Sequence, residues 1–447
     1  MLGKSLPQNQ RDLFRPLLTD FIDCGHELVL LAERIDWGYF ESDFGKLYSS
    51  TGQPGMPIRF SVGCLLLKRL YDLGDETLAK SWVRDPYMQY FTGEAHFCHD
   101  FPCDPSDFVH FRKRIGEEGI EKIFAHSVAL HGKDALVKIV MSDTTVQGNN
   151  VTFPTDAKLA KKVIDKCNKI AQKQGVSQRQ SYKRTAKQLV RDTYNGQHPK
   201  RVKKAKKAQR KLGTIAGRLL RELERKLPQG VLAEHRQELE LYKKVLSQER
   251  SDKDKIYSLH KPHTACIAKG KAGKQYEFGN KVGIATTMGK RIVITAVQSF
   301  TGNPNDGRTI SPLLEQHQRL HGHRPKEVVY DRGGKVKGGK IGDTAISVPA
   351  TPLKKDNAYK KRKKRKKFRR RAAIEPVIGH LKKNFRMEQN YMMGEKAPKI
   401  NAMLAATGWN MKKLMEKLVE EILSTFFKSA VSILTISETQ IARVHKD

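Results

Sequence analysis

The chain has 447 residues and carries 84 Lys and Arg against 47 Asp and Glu, a formal charge of +37 with a pI near 9.9. That length allows two or three domains with their own cores, and that charge repels itself unless it meets a polyanion, so nucleic acid is the leading partner and a membrane surface the weaker one. No apolar run approaches a bilayer's thickness (the longest is AVSILTI near Ala430), and MLGKSLPQNQRDLF lacks a signal-peptide core, so a soluble intracellular protein is expected.

Residues 1 to about 50 mix polar caps with apolar runs such as ELVLLAERI, and TGQPGMP marks a boundary. From Ile58 to about Tyr90, apolar triplets alternate with charge at helical spacing, and Gly74–Asp75 supplies a turn and cap, which predicts a helix-turn-helix-like pair. HFCHDFPCD gathers His96, Cys98, His99 and Cys103 without paired C-x2-C spacing, so a loop is expected there in preference to zinc. The other cysteines are scattered and make no disulfide framework. Another helix follows in DPSDFVHFRKRIGEEGIEKIFAHSV, with Ser106 or Asp107 as N-cap. Residues 1–130 are therefore read as a helical N-terminal domain with basic faces that can bind DNA.

At Val137 the texture changes. VKIVMSD is a β-branched apolar run that predicts a buried central strand with Asp143 near its middle or end. A buried Asp needs a charge partner or a metal, or it must neutralise. Residues 156–255 then read as a basic helical insertion, a long hairpin or coiled pair, serving either as a solvated spacer or as an arm that embraces DNA. Strand texture returns at YSLHKPHTACIA, then in KQYEFGNKVGIATT and RIVITAVQSF, joined by a turn at MGK. NPNDGRTI opens a helix with Asn305 or Asp306 as cap, PKEVVYDRGGK is a strand ending at Asp331, and ISVPA is a last short strand.

Between that strand and the next helix, KKRKKRKKFRRR (residues 360–371) is basic at eleven of twelve positions. Such a run is usually disordered and binds polyanions, which makes Lys363, Lys364, Arg365, Lys366, Arg369 and Arg370 candidate phosphate contacts. In RRRAAIEPVIGHLKK, a helix would set Arg371, Glu375 and Lys382 within about 40° of one another on one face. Pro376 fits a first helical turn, so the helix begins near Ala373 with Glu375 at the positive end of its dipole. A solvated helix with i, i+4 ion pairs is the plain alternative. From Lys396 onward the chain reads as C-terminal helices whose Met/Leu stripe, with Trp409, packs on the core or forms a dimer face. Two strand-borne aspartates and one helix-borne glutamate in a basic groove suit two-metal phosphoryl transfer, with ions about 3.5–4 Å apart. Oxygen ligands alone favour magnesium or manganese.

Three blocks, IVMSDTTVQGNNVTFPTD, VVYDRGG and RRRAAIEPVIGHLKK, resemble the acidic blocks of DDE transposases from bacterial insertion sequences, closest to the group typified by insertion sequence five. The third block is the most specific: the family's Tyr-x2-Arg-x3-Glu-x6-Lys signature is matched by Arg371, Glu375 and Lys382, with Phe368 at the Tyr position. PIRFSVGCLLLKRLYDLGDETLAKSWVRDPYMQYF and DPSDFVHFRKRIG also resemble the family's N-terminal helices, and the similarity spans most of residues 55–395. It implies an α/β RNase H-like catalytic core, a mixed sheet flanked by helices, in residues 131–155 and 256–395. A helical N-terminal domain (1–130), the basic helical insertion (156–255) and C-terminal helices (396–447) complete the chain.

The resemblance further implies Asp143, Asp331 and Glu375 as a catalytic metal triad for two Mg2+ or Mn2+ ions, with Arg371 and Lys382 on phosphates. Water would cut at each element end, and the freed 3′-hydroxyl would attack target DNA. The implied partners are double-stranded DNA, as terminal inverted repeats and target, and a second copy in a homodimer. The implied location is the bacterial cytoplasm, at the nucleoid. A metal-dependent nuclease and a non-catalytic DNA-binding relative are the alternatives.

Overall fold

The computed structural model describes residues 1–3, 14–249, 251–271, 274–349 and 356–444. Residues 4–13 of the N-terminal stretch and Ala350 at the end of ISVPA lie outside the described residues. The first third of the chain is helical: α1 (Glu27–Arg34), α2 (Trp37–Gly45), α3 (Ile58–Leu70), α4 (Asp75–Trp82), α5 (Pro86–Thr92) and α6 (Asp107–Ala129). Side-chain caps start several of them. His26 accepts from the Leu28 amide, Asp36 from Tyr39, and Asp85 from Tyr87 and Met88 ahead of Pro86. Ile58 to Tyr90 thus forms three helices where a pair was expected, because Asp85–Pro86 is itself a start signal. Neither Ser106 nor Asp107 supplies a side-chain cap for α6; the Asp104 carboxylate instead accepts from the Ser106 amide at 2.8 Å.

One extended antiparallel and parallel sheet follows. It contains β1 (Ile139–Asn149), β2 (Ala265–Lys271), β3 (Lys274–Thr287), β4 (Ile294–Phe300), β5 (Glu327–Val329), β6 (Lys340–Ile341), β7 (Thr344–Ser347) and β8 (Gln389–Asn390). Strand order is β2-β3-β1-β5-β7-β6, with β4 also pairing β3 and β8 also pairing β1. β3 runs antiparallel to β1, β2 and β4, while β5 is parallel to both β1 and β7. The sheet is therefore mixed, with β1 central and apolar on both faces near its start, where Val140 and Met141 are buried.

Between β1 and β2 the chain forms α7 (Asp156–Lys173), α8 (Lys183–Asp192), α9 (Val202–Lys226) and α10 (Gln229–Ser247). These helices bury their own core, including Val163, Ile164, Leu212, Leu219 and Tyr242. The apolar seams of α7 and α9 are too wide for a simple pair, so α8 and α10 cover them.

After β4 come α11 (Asp306–His321), α12 (Ala358–Arg371), α13 (Ile374–Asn384) and α14 (Ala397–Val444). The C-terminal helices expected from Lys396 are one helix of 48 residues. Its first part lies against α1, α3, α6 and β4. One hydrophobic core joins Leu28 and Phe60 of the N-terminal helices to Ile294 of the sheet and Met411 of α14. The N-terminal helices consequently have no core separate from the sheet's. They need α14 to bury their apolar faces. No helix among the described residues is long and apolar enough to cross a membrane.

The basic run 360–371 differs from expectation in being helical, as α12. Asn357 caps it by accepting from the Lys360 amide at 2.8 Å, and Lys367 pairs with Glu327 of β5 at 2.5 Å. Arg370 Nε donates to the Met288 carbonyl at 3.0 Å, anchoring the end of α12 to the β3–β4 turn. A break at Ala372–Ala373 then separates α12 from α13, so Arg371 and Glu375 sit on two helices. Pro376 falls in the first turn of α13, where its missing N–H costs no helical bond.

Candidate active site

Parallel pairing sets the first two acids level. Val140 lies opposite Val328 and Met141 opposite Val329, and extending that register by two residues brings Asp143 level with Asp331. Asp143 is on β1 itself, whereas Asp331 lies two residues beyond β5, in the Gly-rich turn. There its Oδ1 accepts from the Gly333 and Gly334 amides, at 2.9 and 3.3 Å. Those two bonds orient the carboxylate, and glycines follow it because a β-carbon at Gly334 would fall 2.3 Å from the Tyr330 ring and one at Gly333 would run into Asp306.

Glu375 reaches the same region through Arg371. Arg371 Nη1 donates to Asp143 Oδ2 and Nη2 to Glu375 Oε1, each at 3.2 Å. Arg371 and Asp143 are largely buried, at 15% and 17% side-chain exposure, while Glu375 is 64% exposed. The guanidinium thus links the strand acid to the helix acid.

A fourth carboxylate joins them. Asn305 takes the N-cap of α11 by accepting from the Gly307 amide, which leaves Asp306 at the first helical position. Asp306 Oδ1 accepts from Thr144 Oγ1 at 2.9 Å and pairs with Lys281 at 2.6 Å. A β-carbon added at Gly333 would fall 2.6 Å from Asp306 Oδ2 and 3.1 Å from Asp331 Oδ1, so the two acids flank that glycine. NPND held two successive cap residues, and only one of them can be the cap; that was the available signal for Asp306.

Burial pushes the Asp143 carboxyl up to about 6, and Asp331 and Asp306 add to the shift, while the Thr144 amide and Arg371 oppose it. Carboxylates crowded this way, with a cradle that only glycine leaves open, are a donor set suited to a hard divalent cation. Among the described residues no three side chains of Asp, Glu, His or Cys form a ready-made cage. Arg371 lies between Asp143 and Glu375, and a bound ion would take over the role that guanidinium plays.

The other predicted contacts scatter. Lys382 is at the far end of α13, in a cleft of about 520 Å3 with Val146, Asn149, Phe153, Tyr276 and Lys383. Lys363, Arg365, Lys366 and Arg369 are exposed on α12, and Lys364 pairs with Asp356 at 2.8 Å. Arg370 is committed to the Met288 carbonyl.

Lys281 is only 13% exposed, and its loss would leave Asp306 without its cation beside two other acids, held by the Thr144 hydroxyl alone among the described residues. Lys281→Met is expected to lower stability by roughly 1–3 kcal/mol, and adding Asp306→Asn should restore most of it. Thermal unfolding of the single and double variants measures this; a double variant no more stable than the single would show that Lys281 acts through its other hydrogen bond, to the Pro304 carbonyl at 2.8 Å, or through packing alone.

Residues 16–114 match a transposase domain (DUF772), and residues 349–415 match a transposase DDE domain. Glu375 lies inside the second segment, and Asp143 and Asp331 lie between the two. A Rhizobium meliloti protein described as uncharacterized protein ORF8 in nfe locus is 39% identical over 186 residues, which are 40% of this chain and 90% of that protein. No solved structure matches. A mixed sheet with flanking helices and a DDE domain define the class as RNase H-like polynucleotidyl transferases. The chain belongs to the DDE transposases of insertion sequences.

Proposed function

We propose that Asp143, Asp331 and Glu375 are the metal-holding catalytic residues, and that the chain cuts DNA at the ends of its element and joins the freed 3′ ends to target DNA. The observation that carries this reading is the Arg371 bridge between Asp143 and Glu375, beside an Asp331 in the turn just past the neighbouring strand, in line with Asp143. Divalent ions, Mg2+ or Mn2+, would activate the attacking oxygen and stabilise the leaving oxygen. Glycine amides orient Asp331, Thr144 orients Asp143 through its amide and Asp306 through its hydroxyl, and Arg371 offers a cation to the phosphate once the acids bind metal.

The reaction balances without an external energy source. In the first step water forms a P–O bond and the 3′-oxygen leaves as a hydroxyl. In the second step that 3′-hydroxyl attacks a target phosphodiester, one P–O bond forms, one breaks, and a target 3′-oxygen leaves with the proton. The N-terminal helices and α12 would hold the inverted repeats, and a dimer would bridge two ends. Within the family, the group typified by insertion sequence five is the placement favoured by the Arg371, Glu375 and Lys382 spacing.

The experiment incubates purified protein, with Mg2+ or Mn2+, with a DNA fragment carrying the gene's own flanks, beside an Asp143→Asn control. Cleavage at the ends followed by joining, lost in the control, is the expected result. Nicks without joined products would replace the transposase reaction with a nuclease, and tight binding with no metal-dependent product would leave a DNA-binding relative.

A further inference from the structure

We propose that the cationic cavity between α3, α6 and the start of α14 receives a backbone phosphate of the bound DNA, several base pairs from the bond that is cut; this rests on the transposase reading and adds a recognition site to it. The cavity is about 690 Å3, and its walls carry Lys68, Arg69, Arg112, Lys113, Arg386 and Lys396 against Asp75 and Glu117. Six cations less two acids leave an excess of four positive charges. Both acids are already engaged: Asp75 pairs with Lys68 and Arg112, and Glu117 with Lys399 at 2.5 Å.

Arg69 is 5% exposed, and it donates to neutral acceptors, the Phe385 carbonyl at 3.3 Å and Asn401 Oδ1 at 2.9 Å. Lys113 and Lys396 stand exposed on the rim with no ion pair among the described residues. Gathering cations at a partly buried site costs free energy that a bound anion offsets. Backbone strain marks the same lip. Asp72 and Arg386 both have left-handed φ, 54° and 59°, and Arg386 Nη1 donates to the Asp72 carbonyl at 2.8 Å. Non-glycine residues keep such conformations where the surroundings enforce them, often at binding sites.

Continuity with the site argues for DNA over a small anion. Arg386, Gln389 and Tyr391 line both this cavity and the cleft that holds Lys382 and Lys383. The two recesses therefore meet at the C-terminal end of α13, whose first turn carries Glu375. An eleven-residue helix is about 16 Å long, the rise of about five base pairs. A strand cut near Glu375 would thus offer the cavity a phosphate about five base pairs away.

The test uses the full chain with Lys113→Gln and Lys396→Gln together, both exposed positions whose loss leaves the buried cluster intact. Binding to a duplex carrying the element's end is measured in EDTA across a salt series. The expected result is binding at least about fivefold weaker, with a log K against log salt slope shallower by roughly two. Ethylating phosphates about five base pairs from the cut should weaken wild-type binding and leave the variant's unchanged. An unchanged slope, or the same ethylation pattern in both proteins, overturns the proposal. So does saturable binding of inorganic phosphate that the variant loses while its DNA slope stays that of the wild type, since the cavity would then serve a free anion. Because no metal is present, failure here leaves the cleavage-and-joining assay untouched, and a chain that cuts and joins with an unchanged slope fails this proposal alone.

Discussion

Glu375→Gln is expected to lower metal-dependent cleavage by about a thousandfold or more, a barrier increase of about 4 kcal/mol, while binding in EDTA stays within about twofold of wild type. The amide keeps the size and shape of the carboxylate, and the side chain is 64% exposed, so packing is undisturbed. Arg371 Nη2 keeps an amide oxygen to donate to in place of a charged one, and Nη1 keeps Asp143 Oδ2 at 3.2 Å. What the change removes is negative charge and an anionic oxygen, the two properties a hard cation requires. Single-turnover cleavage with Mg2+ and with Mn2+, beside a binding isotherm, separates the two effects. Cleavage within about tenfold of wild type would take Glu375 out of the metal set, and Asp306, flanking Gly333 with Asp331, would become the third acid to test.

Legibility followed the range of the interactions. Asp143 could be read because VKIVMSD is apolar on both sides of the strand, so its carboxylate had to be buried and partnered. Asp331 was legible only as a strand end; its level placement beside Asp143 depends on β1 pairing in parallel with β5, a pairing between residues far apart in sequence. The helix over 360–371 was not legible, since eleven like charges disfavour any ordered state locally. Its order comes from Lys367 meeting Glu327 and Arg370 meeting Met288, partners 40 and 82 residues away. Asp306 was hidden by its neighbour, because cap chemistry explains Asn-Asp without asking where the second acid points. The N-terminal helices looked self-sufficient for a related reason: their apolar faces are plain in the sequence, while the helix that covers them begins at Ala397.

The second large effect concerns stability. Burial and the neighbouring acids raise Asp143 to about 6 from an ordinary value of 3.8. A folded value above the unfolded one means that between those pH values the folded state binds more protons, so stability falls as pH rises through this window and stays low above about 6. At pH 7.5 the ionised carboxylate therefore costs the metal-free fold on the order of 2–3 kcal/mol, and Asp143→Asn, which mimics the protonated form, should recover most of it. The variant's Tm is expected to exceed that of wild type at pH 7.5 in EDTA, with the gap closing toward pH 4. Adding Mn2+ should reverse the order, because an ion that binds the folded state stabilises wild type in proportion to ln(1 + [Mn2+]/Kd), and the amide lacks the charge to hold it. Melting curves from pH 4 to 8, with and without Mn2+, read both halves without any DNA present. A variant less stable than wild type at pH 7.5 in EDTA would mean that the Arg371 ion pair outweighs the burial of Asp143, and the carboxylate would then be a structural partner of Arg371 with no need of a metal to justify its burial.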